Sequence, residues 1–321
     1  MITLRSVLAV SLAVAGRPDV EIALGLAEGE SVGFTITSEE VVTPATSEKL
    51  RATVAYEQAV TLRRVPLGDA AADGAAHAFE LTFERATGKA KIPLAADELT
   101  FDSEDERELK FFEVSVFGVL REPIGKSVRV ELAESGRVVA VRGWQAIFEG
   151  TPIGKMSAFA GVPLTDEWFA LKAQLLFPQL PDGSVASGAR WTRPFVCSVY
   201  EHPVPFETEY EVTALDDHAA SWSLAGSLPR GAGAAPADAA APAEPVEREP
   251  ADGADPADVV HDLSRVLDAT LVGATTVSRA DGLPLERTLD FVIRVAAPPP
   301  LGGKPVETTC TQRFRVVRAV R

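Results

Sequence analysis

The sequence predicts a mainly β (β-rich α+β) fold. Its expected form is curved antiparallel sheets, half-barrel or clam-like meanders, with one central helix packed on a concave face. Three observations carry that prediction. Residues 18–142 alternate apolar and polar side chains in runs broken by Gly, Pro and Asp, the period-two pattern of half-buried strands. Residues 187–320 do the same. Between them, residues 165–177 switch to helical spacing.

The first segment, MITLRSVLAVSLAVAG, has one positive charge at Arg5, an apolar run from Val7 to Ala15, and Ala13-Val14-Ala15 as a small-x-small site. Both a signal peptide over residues 1–15 and a first β-strand fit this composition. The fresh strand beginning at Asp19-Val-Glu-Ile-Ala-Leu favours the signal peptide. A secreted or periplasmic location is therefore expected, with a cytoplasmic one as the alternative. No Cys follows the apolar run, so no lipid anchor is expected. No later apolar run approaches the ~18 residues that span a bilayer, so the chain is not expected to be transmembrane.

The N-terminal half, residues 16–142, then reads as successive strands. After the Glu28-Gly29-Glu30 turn, residues 31–42 place Val32, Phe34 and Ile36 on one face. Residues 50–65 follow, with Val54, Tyr56, Ala59 and Leu62 as core candidates. Residues 69–76, rich in Ala, Asp and Gly, read as a loop. From His77 to Arg85, Phe79, Leu81 and Phe83 alternate with Ala78, Glu80, Thr82 and Glu84, which gives one core face and one wet face. The charged residues 104–110 suit a loop or a helical turn. Ser127-Val-Arg-Val-Glu-Leu, a turn containing Gly136, and Arg137-Val-Val-Ala-Val-Arg form a hairpin.

Residues 143–186 read as a helical connection, with a short helix at 144–148. Thr165 offers an N-cap, Asp166 and Glu167 suit the first turn, and Trp168, Leu171, Leu175 and Leu176 recur at helical spacing before Pro178. The C-terminal half, residues 187–321, begins after the Leu180-Pro-Asp-Gly turn. Its strands are 195–200, 206–215 and 219–224, the second with Tyr210, Val212 and Ala214 opposite Glu209, Glu211 and Thr213. Residues 229–256 are Ala-, Pro- and acid-rich without an aromatic residue, too polar to offset their ordering entropy, and read as a disordered insert. Strands resume at 267–277, 285–295 and 307–320 around the Arg279-Ala-Asp-Gly turn. Both halves carry a charged hairpin tip, at Gly136 and Gly282, but little residue identity supports a duplication.

Composition narrows the chemistry. Hydrophobic residues make up 46% of the 321 positions and charged residues 24%, values ordinary for a globular chain. The net charge of −15, from 46 acidic and 31 basic residues, disfavours nucleic acid or an anionic membrane as a partner. The four histidines, His77, His202, His218 and His261, show no metal-ligand spacing, and no metal or cofactor is expected. Cys197 and Cys310 can pair if their strands are neighbours, although scattered strand cysteines are more often small buried hydrophobes.

Ser198, His202 and Asp216 can be assembled on paper into a triad, but the GxSxG elbow is missing and Ser198 falls in mid-strand. Asp102, Glu104 and Asp105 could offer oxygens to Ca²⁺, yet they lack EF-hand spacing and read first as a solvated loop. Gly231-Ala-Gly and Gly302-Gly303-Lys304 lie in loops that open no helix, so no phosphate loop is expected. The four Trp, at 144, 168, 191 and 222, suit either a ligand cleft or structural anchoring.

Three segments carry a family resemblance: Leu26-Ala-Glu-Gly-Glu-Ser-Val-Gly-Phe after the leader, Phe101-Asp-Ser in mid-chain, and Leu180-Pro-Asp-Gly-Ser-Val-Ala-Ser-Gly-Ala-Arg-Trp. With the closing strands around Asp281-Gly282, this layout resembles a domain-of-unknown-function family of uncharacterised bacterial secreted proteins. That resemblance implies a β-rich fold akin to the half-barrels of envelope lipoprotein carriers, with no known activity and no catalytic residues. The chain departs from it in the acidic insert and in lacking a lipidation Cys.

The functional expectation is an exported, non-enzymatic protein that binds an apolar or envelope-associated ligand, or a partner protein, in a sheet–helix cleft. Trp168, Leu171 and Leu175 would face that cleft with Phe79, Phe83 and Val130. The alternative is a structural or interaction module of the cell envelope, in which these residues only fill the core. A hydrolase with an unrecognised carboxylate pair ranks third.

Overall fold

The computed structural model describes residues 20–93, 95–160, 164–199, 202–229, 266–297 and 306–319. The expected signal peptide, residues 230–256 of the expected insert, His261 and Gly302-Gly303-Lys304 lie outside the described residues. The strands are β1 (Val20–Glu21), β2 (Ser31–Pro44), β3 (Ala52–Val65), β4 (His77–Lys91), β5 (Leu99–Asp102), β6 (Ser127–Leu132) and β7 (Val138–Arg142) in the first half. In the second they are β8 (Ser184–Val185), β9 (Arg190–Val199), β10 (His202–Leu215), β11 (Ala219–Ser227), β12 (Val266–Ser278), β13 (Pro284–Ala297) and β14 (Val306–Arg318). Helices α1 (Phe111–Arg121), α2 (Trp144–Phe148), α3 (Pro152–Ala160) and α4 (Asp166–Ala173) punctuate them.

The mainly β expectation holds: β1 and β8 pair as a short separate ribbon, and the other strands form one large, open antiparallel sheet, with few helices. Its order is β7-β6-β4-β3-β2-β14-β13-β12-β11-β10-β9, with β5 paired to β4. The two halves share a single sheet because β14 pairs with β2, setting Val316 opposite Ile36 and Cys310 opposite Val42. One hydrophobic cluster accordingly runs through both halves, from Phe34 and Phe79 to Phe206 and Phe291.

The edge strands β7 and β9 are both packed against α4. Thr165 caps this helix, its Oγ1 accepting from the Trp168 amide at 3.2 Å. The chain after it binds both edges. Gln174 Oε1 accepts from Val138 N at 2.8 Å, and its Nε2 donates to the carbonyls of Gly136 and Phe177. Leu180 N donates to Ser135 O at 2.8 Å, and Gln179 Nε2 donates to Pro194 O at 3.1 Å. The sheet curls until one helix and its tail sit between its edges and occupy the backbone groups there. This protects edges that would otherwise pair with other chains.

Several local expectations are corrected. The α4 helix ends at Ala173, with Gln174 as its C-cap, rather than at 177. Leu175 and Leu176 are buried in the turn that follows. The alternation of β3 runs unbroken through Gln58, Val60 and Leu62, so Val60, not Ala59, joins the core. The bulge opposite lies in β4, where the extra residue Glu84 moves the inward positions from Phe83 to Ala86. In β10 a bulge after Val212 exposes Ala214 and turns Leu215 inward. The connection at 104–110 leads into α1, whose apolar run of Phe and Val reads locally like a strand. This helix sits where β4 narrows to Ala86, Gly88 and Ala90. A Cβ on Gly88 would lie 2.8 Å from Phe117 Cε1, so glycine there lets the Phe117 ring pack between sheet and Phe101.

Candidate functional site: a cavity between the sheet and its helices

The inward side chains change size along β4. Phe79, Leu81 and Phe83 face inward near β6, and beyond the bulge at Glu84 the small residues Ala86, Gly88 and Ala90 seat Phe117, which holds α1 over the sheet beside the cavity. The sheet floor there is Ile36, Val54, Leu81 and Phe314. Half-buried Val116 and Val119 of α1 lie on one side, and Trp144, Trp168, Phe169 and Leu175 of the α2–α4 region on the other. They line a mainly apolar cavity of about 340 Å³ that is partly open to solvent.

An aromatic wall gives the cavity a fixed shape. The rings of Trp144 and Phe169 stack with centroids 3.9 Å apart, and Phe83 stands 5.8 Å from Trp144 and 6.0 Å from Phe169. Asp166 holds the start of α2 by accepting from the amides of Gly143 and Gln145 at 3.2 and 2.9 Å. Rigid rings on a braced helix lose little conformational entropy when a ligand arrives.

Polar groups are few. Glu40, Tyr56, Gln58 and Lys172 reach the cavity. Glu40 accepts from Gln312 Nε2 at 2.8 Å, and Gln312 also donates to Ser38 at 3.1 Å. Burial, reinforced by Glu40 and partly offset by a hydrogen bond with Ser38, pushes the Tyr56 phenol well above its ordinary range, so it stays neutral. The Lys172 ammonium lies 5.4 Å from the Trp168 ring centroid. The indole nitrogens of Trp144 and Trp168 are buried without a hydrogen-bond partner among the described residues.

Of the six residues expected in the cleft, Trp168, Leu175 and Phe83 line this cavity. Phe79, Val130 and Leu171 are buried away from its lining. Phe79 and Val130 face each other across β4 and β6, and Phe79 packs on Phe177, 6.1 Å between centroids, in the part of the interior filled by the chain after α4. Sequence reasoning missed Trp144 as a lining residue, although it stood among the four Trp and in the expected short helix. The α1 contribution had no sequence signal beyond an apolar run.

The other candidate chemistries disperse. Ser198 is buried in β9 and His202 opens β10, but Asp216 lies past the far end of that strand, roughly 45 Å away at ~3.3 Å per residue. Asp102 and Glu104 pair with Arg85 at 2.9 and 3.2 Å, and Asp105 pairs with Arg107 at 3.0 Å. No group of three metal-binding side chains occurs among the described residues. Cys197 and Cys310 are free and buried on strands that are not neighbours. Burial pushes the Cys310 thiol up to about 12 and the Cys197 thiol higher, so neither is a ready nucleophile. Among the described residues no helix is long and apolar enough to cross a membrane.

Comparison with known proteins adds only distant likenesses. No family model matches the chain, and no curated protein does. Among solved structures it is similar to DynF from the dynemicin biosynthesis pathway of Micromonospora chersina, at 9% identity and a TM-score of 0.21, over 96% of this chain and 88% of that one. It is also similar to the S-type phycobiliprotein lyase CPES of Guillardia theta, at 9% identity and a TM-score of 0.24, over 89% and 88%. A third is the translocator domain of the autotransporter NalP from Neisseria meningitidis, at 9% identity and a TM-score of 0.22, over 91% and 89%. Likenesses at these scores carry no argument about fold or function.

Proposed function

We propose that the protein is a non-enzymatic carrier or receptor that holds a small, mainly apolar molecule in the cavity between its sheet and helices. The observation that carries this reading is the cavity itself: about 340 Å³, apolar, and walled by stacked rings. Small-molecule sites typically span ~300–1,000 Å³ and pair an apolar lining with a few polar groups that fix orientation. Glu40, Tyr56 and Lys172 in the lining can do this, and the unpartnered indole nitrogens of Trp144 and Trp168 are donors for acceptors on the ligand.

The chain is read as exported, on the strength of Arg5, the Val7–Ala15 run and Ala13-Val14-Ala15. The alternative is an interaction module of the cell envelope. It draws on exposed Phe111 and Phe112 at the start of α1, beside the cavity. Native mass spectrometry of protein purified from the extracytoplasmic fraction of its own cells tests both readings. The expected spectrum shows a chain starting near Gly16 with a small-molecule adduct that denaturation releases. An intact Met1 confined to the cytoplasm would refute export. Adduct-free protein that takes up no apolar compound would leave the interaction module standing.

A further inference from the structure

A second concentration of polar groups lies in the interior, on the part of the sheet formed by β9 to β13. Arg287 is only 1% exposed, and its Nε and Nη1 have no hydrogen-bond partner among the described residues. Nor does a carboxylate pair with it among those residues. Its guanidinium stands 5.6 Å from the centroid of Phe195, and the titratable groups acting on it are Tyr210 and Cys197, both neutral near pH 7. A ring face offsets only part of the desolvation of a cation. Burial draws Arg287 down to about 10, which still leaves it charged at neutral pH.

The side chains around it offer donors. Thr275 lies opposite Arg287, and Trp222 opposite Thr275, so the three form one row across β13, β12 and β11. Trp191 joins this group, its ring 5.0 Å from Tyr210 and 5.8 Å from Trp222. Thr275 Oγ1, Tyr210 Oη, Trp222 Nε1 and Trp191 Nε1 are all buried without a partner among the described residues. Arg and Trp can only donate. Water could accept such hydrogen bonds but would leave the charge unbalanced. The complementary partner accepts several hydrogen bonds and brings a negative charge.

We infer that Arg287, with Thr275, Tyr210 and Trp222, forms a buried oxoanion site that takes a carboxylate. The carboxylate has two sources, a small free acid or the head of an apolar acid whose chain occupies the cavity. The second is within reach: Ile36 lines the cavity and pairs with Val316, which pairs with Arg287, two strand spacings or roughly 10 Å. The oxoanion site does not depend on the cavity reading.

Thermal unfolding of the full chain, dialysed free of carboxylates, tests it with acetate against acetamide and decanoate against decanol. At least one acid should stabilise the wild type at a concentration about tenfold or more below its neutral counterpart. Arg287→Met should erase that preference, and Arg287→Lys should keep part of it. Acetate acting alone identifies a free acid; decanoate acting where acetate does not identifies the head of a cavity ligand. The site is refuted if acetamide and decanol match their acids in the wild type, or if Arg287→Met retains the preference. The wild-type comparison decides the matter even if the variant does not fold. Decanol binding without an advantage for decanoate upholds the cavity and sinks the oxoanion site, whereas an acetate effect without decanol binding does the reverse.

Discussion

Glu131 lies on β6 with its side chain 1% exposed, between Arg129 at 2.8 Å and Arg142 at 3.5 Å. Its Oε2 accepts from the Ala72 amide at 2.8 Å, and Arg129 also donates to the carbonyls of Pro66 and Leu67. One carboxylate thus fastens the loop between β3 and β4 to the sheet. Burial alone would raise its pKa, but the Ala72 amide and the two guanidinium groups outweigh that and hold it below the usual carboxylate range. A depressed carboxylate contributes stability that is fully present above its unfolded pKa and lost as pH falls through the folded one. The melting temperature should therefore fall as pH drops below about 4.3, and Glu131→Gln should flatten that fall. At neutral pH the same variant should lose ~2 kcal/mol in denaturant titrations. An unchanged acid limb in the variant would contradict the role assigned to this carboxylate.

At the scale of elements, α4 and its tail decide whether the sheet has free edges. Gln174 reaches Val138, Gly136 and Phe177 together, so Gln174→Leu leaves a buried amide and two carbonyls without that partner. The expected loss is ~2 kcal/mol, with concentration-dependent association by light scattering as β7 loses its cover. Unchanged stability with no association would show that packing alone closes the sheet. This element was legible: Thr165, the acidic first turn and the Trp168–Leu171 spacing point to a helix wherever the sheet runs. The α1 helix was not, because Phe111, Val114, Val116 and Val119 favour strands by propensity and become helical only on the flat seat of Ala86, Gly88 and Ala90. The bulges at Glu84 in β4 and at Thr213 in β10, the second of which exchanges Ala214 for Leu215, were equally hidden, since each depends on the partner strand's register. Val60, by contrast, follows from the unbroken alternation of Val54, Tyr56 and Leu62.

Across the whole molecule, alternation in Phe79-Glu80-Leu81-Thr82-Phe83 was enough to predict a sheet with one buried face. The merging of two meanders through β2 and β14 rests on long-range pairing that local patterns do not encode. The same gap explains the half-read site. Phe83, Trp168 and Leu175 were recognisable as large apolar residues facing a concavity, while Phe79, Val130 and Leu171 look the same in sequence and are spent on the core. What separates them is position relative to the space between α1 and the α2–α4 region, which local pattern does not encode. The direct test of that space is a titration with a bromine-tipped decanol, whose heavy atom quenches indole fluorescence on contact. Trp144 and Trp168 line the cavity, so saturable quenching should appear in the wild type and weaken about tenfold in Val119→Phe, which fills the space from α1. Quenching that never saturates, or that is equal in the two proteins, would mean that the cavity holds no ligand.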